Sequence, residues 1–186
     1  MPTLLNQANY KVMKWKNGRG ETSEIARFPE ADPFLWRLSM APVIENGPWS
    51  LFPGYDRYLT LVEGSGLKLN DKVINFGEVI KFSGDENISC DLIDGKIIDL
   101  NLIVRRNLVQ VKYEVIKLSK EPHSFSKQGK VVLIFCLSGE LNILNGKNSF
   151  MVEKWDTLQI DDPKGEKISI NAISSNSSFV FVELDW

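Results

Sequence analysis

Apolar residues along the chain recur either at every second position or in unbroken runs of strand length, and clusters of Gly, Asn, Asp, Ser and Pro separate these runs. Helical periodicity is scarce. The pattern predicts thirteen strands, at Trp36–Pro42, Tyr58–Glu63, Leu67–Leu69, Lys72–Ile74, Glu78–Phe82, Ser89–Ile93, Val109–Leu118, Val131–Leu137, Leu141–Leu144, Ser149–Val152, Thr157–Ile160, Lys167–Ile173 and Ser178–Leu184. Many short strands between turn signals predict an all-β sandwich or barrel. Asn70-Asp71 and Asn145-Gly146 each sit between short apolar pairs, where a tight hairpin needs residues that tolerate positive φ.

The two hairpins also expose an internal repeat. A shift of 75 positions aligns Gly64 with Gly139, Leu69 with Leu144, Asn70 with Asn145 and Lys72 with Lys147, and three further residues pair Gly77-Glu78 with Trp155-Asp156. Each half then carries strand, Gly turn, hairpin, turn and strand, the order of a small jelly-roll barrel. The expected division is residues 1–107, holding a ligand pocket, and 108–186, which serves packing. Ser119–Gly129, polar and containing Pro122 and His123, is read as a loop.

Composition narrows the function classes. Hydrophobic residues make up 43% and charged residues 25% of 186, ordinary globular values. Lys and Arg number 22 against 24 Asp and Glu, a net charge of −2, which offers nucleic acid no electrostatic footprint. No segment is long and apolar enough to span a bilayer or act as a signal peptide, and Cys90 and Cys136 lie in apolar runs as reduced thiols. The expectation is a cytoplasmic protein with no membrane partner. A single histidine, His123, excludes a metal site built from two or more histidines, so neither metal nor other cofactor is expected.

Three segments could carry chemistry. Trp15-Lys16-Asn17-Gly18-Arg19-Gly20-Glu21-Thr22-Ser23-Glu24-Ile25 is dense in polar and Gly residues, but no strand precedes it and no Lys-Ser/Thr follows, so a P-loop is rejected. It is either a turn that tucks Trp15 inward or part of a ligand site. In Asp99–Asn107, strand alternation puts Asp99, Asn101 and Ile103 on one face, and Asn101 offers both donor and acceptor. Asp99 beside an Arg is equally readable as a structural pair. Gly47–Gly64 ends in an apolar strand and a Glu-Gly turn, resembling the first cupin motif, whose metal-binding members place a Glu seven residues before that Gly. Here Arg57 stands at that position, and Ser50 to Pro53, where the metal-ligating histidines would fall, offers no ligand. A guanidinium in place of a cation implies an anion site, since its planar fork suits two carboxylate oxygens. The alternative is an ion pair of Arg57 with Asp56 or Glu63. His123 reads as a surface residue, and Glu63-Gly64-Ser65-Gly66 precedes a strand, not the helix a nucleophile elbow needs.

Together these segments resemble the HutD/Ves family of cupin-like proteins. The resemblance rests on Trp15-Lys16-Asn17-Gly18-Arg19-Gly20, Trp36-Arg37-Leu38-Ser39, Gly47-Pro48-Trp49-Ser50, Pro53-Gly54-Tyr55-Asp56-Arg57, Gly84-Asp85 and Asp99-Leu100-Asn101, six motifs in order across residues 10 to 107. It implies two cupin-like jelly-roll (double-stranded β-helix) barrels, a bicupin, and an accessory or regulatory role in histidine utilisation or, for the Ves branch, a stress response. It also implies a small acidic ligand resembling formylglutamate or urocanate, with Asn17, Gly18, Arg37, Ser39, Arg57 and Asn101 as candidate ligand-binding residues. The leading expectation is a metal-independent carboxylate-binding protein. A metal-independent isomerase or hydrolase using Asp56, Glu63 or Glu24 as base is the rival, and a strand-pairing assembly module the third reading.

Overall fold

A computed structural model describes residues 1–15, 20–119, 121–126, 129–163, 165 and 167–186. The described residues contain nineteen strands and no α-helix: β1 (Pro2–Leu5), β2 (Lys11–Lys14), β3 (Glu21–Phe28), β4 (Trp36–Val43), β5 (Gly47–Pro48), β6 (Tyr55–Glu63), β7 (Leu67–Leu69), β8 (Lys72–Ile74), β9 (Val79–Ser83), β10 (Ser89–Leu92), β11 (Ile97–Arg105), β12 (Gln110–Lys117), β13 (His123–Ser126), β14 (Val131–Ser138), β15 (Leu141–Asn145), β16 (Asn148–Val152), β17 (Thr157–Asp161), β18 (Lys167–Ala172) and β19 (Ser178–Asp185). No helix among them is long and apolar enough to cross a membrane. The all-β expectation holds. The thirteen expected strands omit β1, β2, β3, β5, β11 and β13, and β13 corrects the loop read at Ser119–Gly129. There Ser-x-Ser alternates with His123 and Phe125, and both rings are drawn inward toward the core. His123 is accordingly half-buried, 5.9 Å from the rings of Phe125 and of fully buried Phe179, not a surface residue.

The chain forms two compact units, Tyr10–Val109 and, separately, Met1–Asn9 with Gln110–Trp186. In the first, a six-stranded antiparallel sheet has the order β2-β3-β4-β11-β6-β9 and a four-stranded sheet the order β5-β10-β7-β8. In the second, the orders are β1-β17-β14-β19-β12 and β13-β18-β15-β16. Adding eight to each label of β4 through β11 reproduces the second unit's connectivity strand for strand, so the repeat read from sequence extends to topology. Its turns match as well: Gly64 and Gly139 lie at φ 108° and 72°, and Gly77 and Trp155 at φ 74° and 73°. The residues that flank the second unit's repeat differ, because β1 pairs with β17, Leu4 opposite Leu158.

The interiors of the units diverge. In the second, Val132, Ile134 and Cys136 of β14 and Phe179 and Phe181 of β19 belong to one apolar cluster, with half-buried His123 against Phe179. In the first, Leu59 and Leu61 of β6 pack with Leu67, Leu69, Ile74, Cys90 and Ile97 from the facing sheet, but the same face of the six-stranded sheet also buries Arg57, Asp99 and Asn101. One connectivity therefore tolerates a largely apolar filling, and the charged filling of the first unit is not demanded by its fold.

Candidate functional site

Register assembles the polar face. On β11, Ile103 lies opposite Arg37 of β4 and Arg57 of β6, while Asn101, two residues along, lies opposite Ser39 and Leu59. Directly opposite residues share a face, so Arg37, Ser39, Arg57 and Asn101, expected at the site from sequence, come together. Asn17 and Gly18 lie outside the described residues. The flanking backbone closes on itself, Trp15 N–H donating to the Gly20 carbonyl at 2.9 Å and Trp15 Nε1 to Thr22 Oγ1 at 2.9 Å.

Two further residues join from β3. A bulge between Glu24 and Ala26 sets Glu24 opposite Ser39 and Arg27 opposite Arg37, so residues three apart share one face. Strict alternation would have sent them to opposite faces, which is why Arg27 escapes a period-two reading. The result is a row of guanidinium groups, Arg27, Arg37 and Arg57, beside a row of Glu24, Ser39 and Asn101, with Asp99 one strand repeat beyond.

Arg57 is 5% exposed and rests over Trp49, Phe52 and Phe82, its Cζ 4.9, 5.2 and 5.1 Å from the ring centroids. Its Nη1 donates to the Ser50 carbonyl at 3.0 Å. Arg37 lies over Phe34 and the same Phe52 ring at 5.4 and 5.3 Å. Among the described residues neither guanidinium forms an ion pair with a carboxylate, whereas Arg27 pairs with Glu24 at 3.8 Å and with exposed Asp32. Burial draws Arg57 down to about 10, against the pull of Asp99 and with the push of Arg37, and lowers Arg37 likewise. Asp99 is pushed up to about 6, chiefly by burial, although Arg57 and a 3.5 Å bond from Asn101 Nδ2 oppose the shift.

Six buried polar atoms of this face, Glu24 Oε2, Arg27 Nε, Arg37 Nε, Arg57 Nε, Asp99 Oδ1 and Asn101 Oδ1, have no hydrogen-bond partner among the described residues. Leaving such a group unpaired costs about 1–3 kcal/mol. The second unit, with the same strand order, encloses an apolar cluster where the first retains all six.

The carboxylates offered as bases divide. Glu24 belongs to the face, but Asp56 alternates to the other side of β6 and is held by Arg106 Nε at 2.6 Å and Lys81 at 3.2 Å. Glu63 stands at the far end of β6 from Arg57. Arg106 also donates to Asp85 at 2.7 Å, Tyr55 O at 2.8 Å and Ser83 Oγ at 2.6 Å. Phe52 N–H donates to Gly84 O at 2.7 Å and Gly84 N–H to Tyr55 O at 2.8 Å, so this clamp fixes the segment whose Phe52 ring carries both guanidinium groups. A Cβ on Gly84 would stand 2.3 Å from Phe52 O and 2.9 Å from Tyr55 O. Gly84→Ala should therefore destabilise the protein by about 2–3 kcal/mol in urea unfolding, since rigid backbone lies on both sides.

A histidine-based metal centre does not fit this face, because guanidinium groups occupy it and the one histidine belongs to the other unit. No group of three or more His, Cys, Asp or Glu among the described residues could hold a metal ion.

The fold is that of a cupin-like β protein: a cupin 2 conserved barrel domain protein from Leptotrichia buccalis superposes with a TM-score of 0.62 over 100% of this chain and 96% of its own, at 14% identity. The chain belongs to the HutD family, whose model matches residues 7–178. An uncharacterised 21.2 kDa protein from the hutC 3′ region of Pseudomonas putida is 31% identical over 167 residues, 85% of this chain and 86% of that one. Protein Ves of Citrobacter koseri is 38% identical over 136 residues, 69% of each. The structure of HutD from Pseudomonas fluorescens SBW25 matches with a TM-score of 0.85 at 29% identity, covering 100% of this chain and 98% of that one.

Proposed function

We propose that the chain is a metal-independent binding protein for a small carboxylate, with Arg57 as anchor and Arg37, Ser39 and Asn101 beside it. The observation that carries this reading is the pair of guanidinium groups, Arg37 and Arg57, on one aromatic ring without an ion-pair partner among the described residues. A carboxylate entering there supplies charge-assisted hydrogen bonds to buried guanidinium groups that have no direct ion pair among the described residues. Each unit is read as a jelly-roll barrel of the bicupin type, supported by the repeated strand order. Only the first is read as a binding module, the other being filled with side chains. The buried free thiols of Cys90 and Cys136 suit a reducing cytoplasmic setting. An accessory role in histidine utilisation is suggested by the names of the HutD and hutC-region relatives, whereas a stress role rests on the resemblance to the Ves branch alone.

Calorimetric titration of the purified protein with formylglutamate and urocanate tests the reading, with Trp49 fluorescence as a second signal. Saturable binding at one site per chain is the expected result. Absence of both heat and fluorescence change at millimolar acid would overturn it.

A further inference from the structure

Arg57 rests on Ser50 O and on the rings of Trp49 and Phe52, and Arg37 shares the Phe52 ring. These supports all lie between β5 and β6, in a segment outside any strand. Trp49 N–H reaches Ile88 O at 2.9 Å. Beyond that point, and apart from the Arg57 bond to Ser50 O, the backbone ties of the segment among the described residues run to Gly84, Tyr55, Asp85 and Arg106. Phe52 N–H donates to Gly84 O at 2.7 Å, Tyr55 N–H to Phe52 O at 3.1 Å, Gly54 N–H to Asp85 Oδ1 at 3.1 Å and Arg106 N–H to Gly54 O at 3.0 Å.

The Arg106 side chain gathers those same partners. Its guanidinium directs N–H groups at Asp56 Oδ1 and Tyr55 O at the start of β6, at Ser83 Oγ at the end of β9 and at Asp85 Oδ2 beyond it. A lysine has no fork of this shape. A second route runs through Tyr55, whose ring centroid is 4.8 Å from that of Phe34 and 6.5 Å from that of Phe52, and whose hydroxyl donates to Phe34 O at 3.0 Å. Phe34 and Phe52 are the rings beneath Arg37. None of the four acceptors of Arg106 stands on the guanidinium row or on the rows beside it. We propose that Arg106 is a positioning residue of the binding face: without touching Arg37 or Arg57, it fixes the wall that aims both groups and so sets the affinity for the anion. A guanidinium meets an incoming carboxylate squarely only while its own supports stay in place. The proposal rests on the carboxylate-binding reading and goes beyond it by giving control of that site to a residue outside it.

Arg106→Gln, Arg106→Lys and Asp85→Ala are compared with the parent, and Asn6→Ala, which removes the 2.9 Å bond to Asp156 in the other unit, serves as the reference for a loss of stability alone. The first measurement needs no ligand. Amide hydrogen exchange at Phe52 and Gly84 is expected to be at least about tenfold faster in Arg106→Gln, with Leu59 and Leu61 unchanged. The second is calorimetry with formylglutamate, where Arg106→Gln is expected to bind about tenfold more weakly, the effect typical of a residue that orients a binding group, and Arg106→Lys to lie between it and the parent. Asn6→Ala is expected to bind as the parent does. Parent-like exchange or affinity in Arg106→Gln overturns the positioning role while carboxylate binding stands, and so does an equal loss of affinity in Asn6→Ala. Should Arg106→Gln not fold, Asp85→Ala, altered at a half-exposed residue, decides in the same way. A parent that binds neither formylglutamate nor urocanate sinks the carboxylate reading and this proposal with it, whatever the exchange shows.

Discussion

Replacing Arg57 with Met should weaken carboxylate binding by about 10- to 100-fold without making the protein less stable. The loss follows from the anchor being a single buried charge whose charge-assisted bonds have no substitute on β6, where its same-face neighbours are Leu59 and Leu61. The stability half is less obvious. Burial holds Arg57 near 10, a penalty on the charged form on the order of 3 kcal/mol that applies at every pH below that value. Methionine removes that penalty and packs against Trp49, Phe52 and Phe82, while the variant forfeits the bond to Ser50 O and the attraction of three rings. Calorimetry and urea unfolding on the same preparation check both halves. Undiminished affinity would show that the acid binds elsewhere.

The second large effect concerns Asp99. Its folded value of about 6 lies above the ordinary 3.8, so the folded chain binds a proton that the unfolded chain has released between these limits. Stability from this group is fully present below about pH 4 and is lost as pH rises through about 6, amounting to on the order of 3 kcal/mol. Asp99→Asn abolishes that dependence. At neutral pH the variant should be more stable than the parent by on the order of 3 kcal/mol, and the difference should vanish near pH 4. Urea unfolding of both proteins across that range measures it. A parent that is the more stable at neutral pH would mean that Asp99 is held by partners favouring its charge. Both substitutions remove a buried ionisable group whose charged form is penalised by burial.

How far the sequence revealed this site depends on the strand concerned. Arg57 is legible from the motif count back from Gly64, which crosses the irregularity at Val62, and Asp99 and Asn101 from the alternation within β11 beyond it. Ser39 and Arg37 followed from the Trp-Arg-x-Ser motif. Arg27 was illegible because the bulge at Ile25 breaks the period of two, and β3 as a whole reads as polar sequence for the same reason. The aromatic floor was hidden differently: Trp49 and Phe52 precede β6 in a turn-rich segment, and the backbone bonds of Phe52 to Gly84 and of Trp49 to Ile88, which bring them under the guanidinium groups, link positions far apart in the chain. In the second unit an unbroken apolar run such as Val131–Leu137 announces a buried strand, whereas the Ser-rich alternation of β13 conceals one.

The N-terminal strand has a practical meaning for anyone dissecting the chain. Because Pro2–Leu5 hydrogen-bonds along Thr157–Ile160, and Asn6 and Gln7 then donate to the Asp156 carboxylate, a fragment cut to Gln110–Trp186 would bare the rim of its larger sheet. Such a rim recruits foreign strands and clumps. Independent expression of the two repeats therefore calls for grafting the first nine residues onto the later one, and not for scissors at the midpoint.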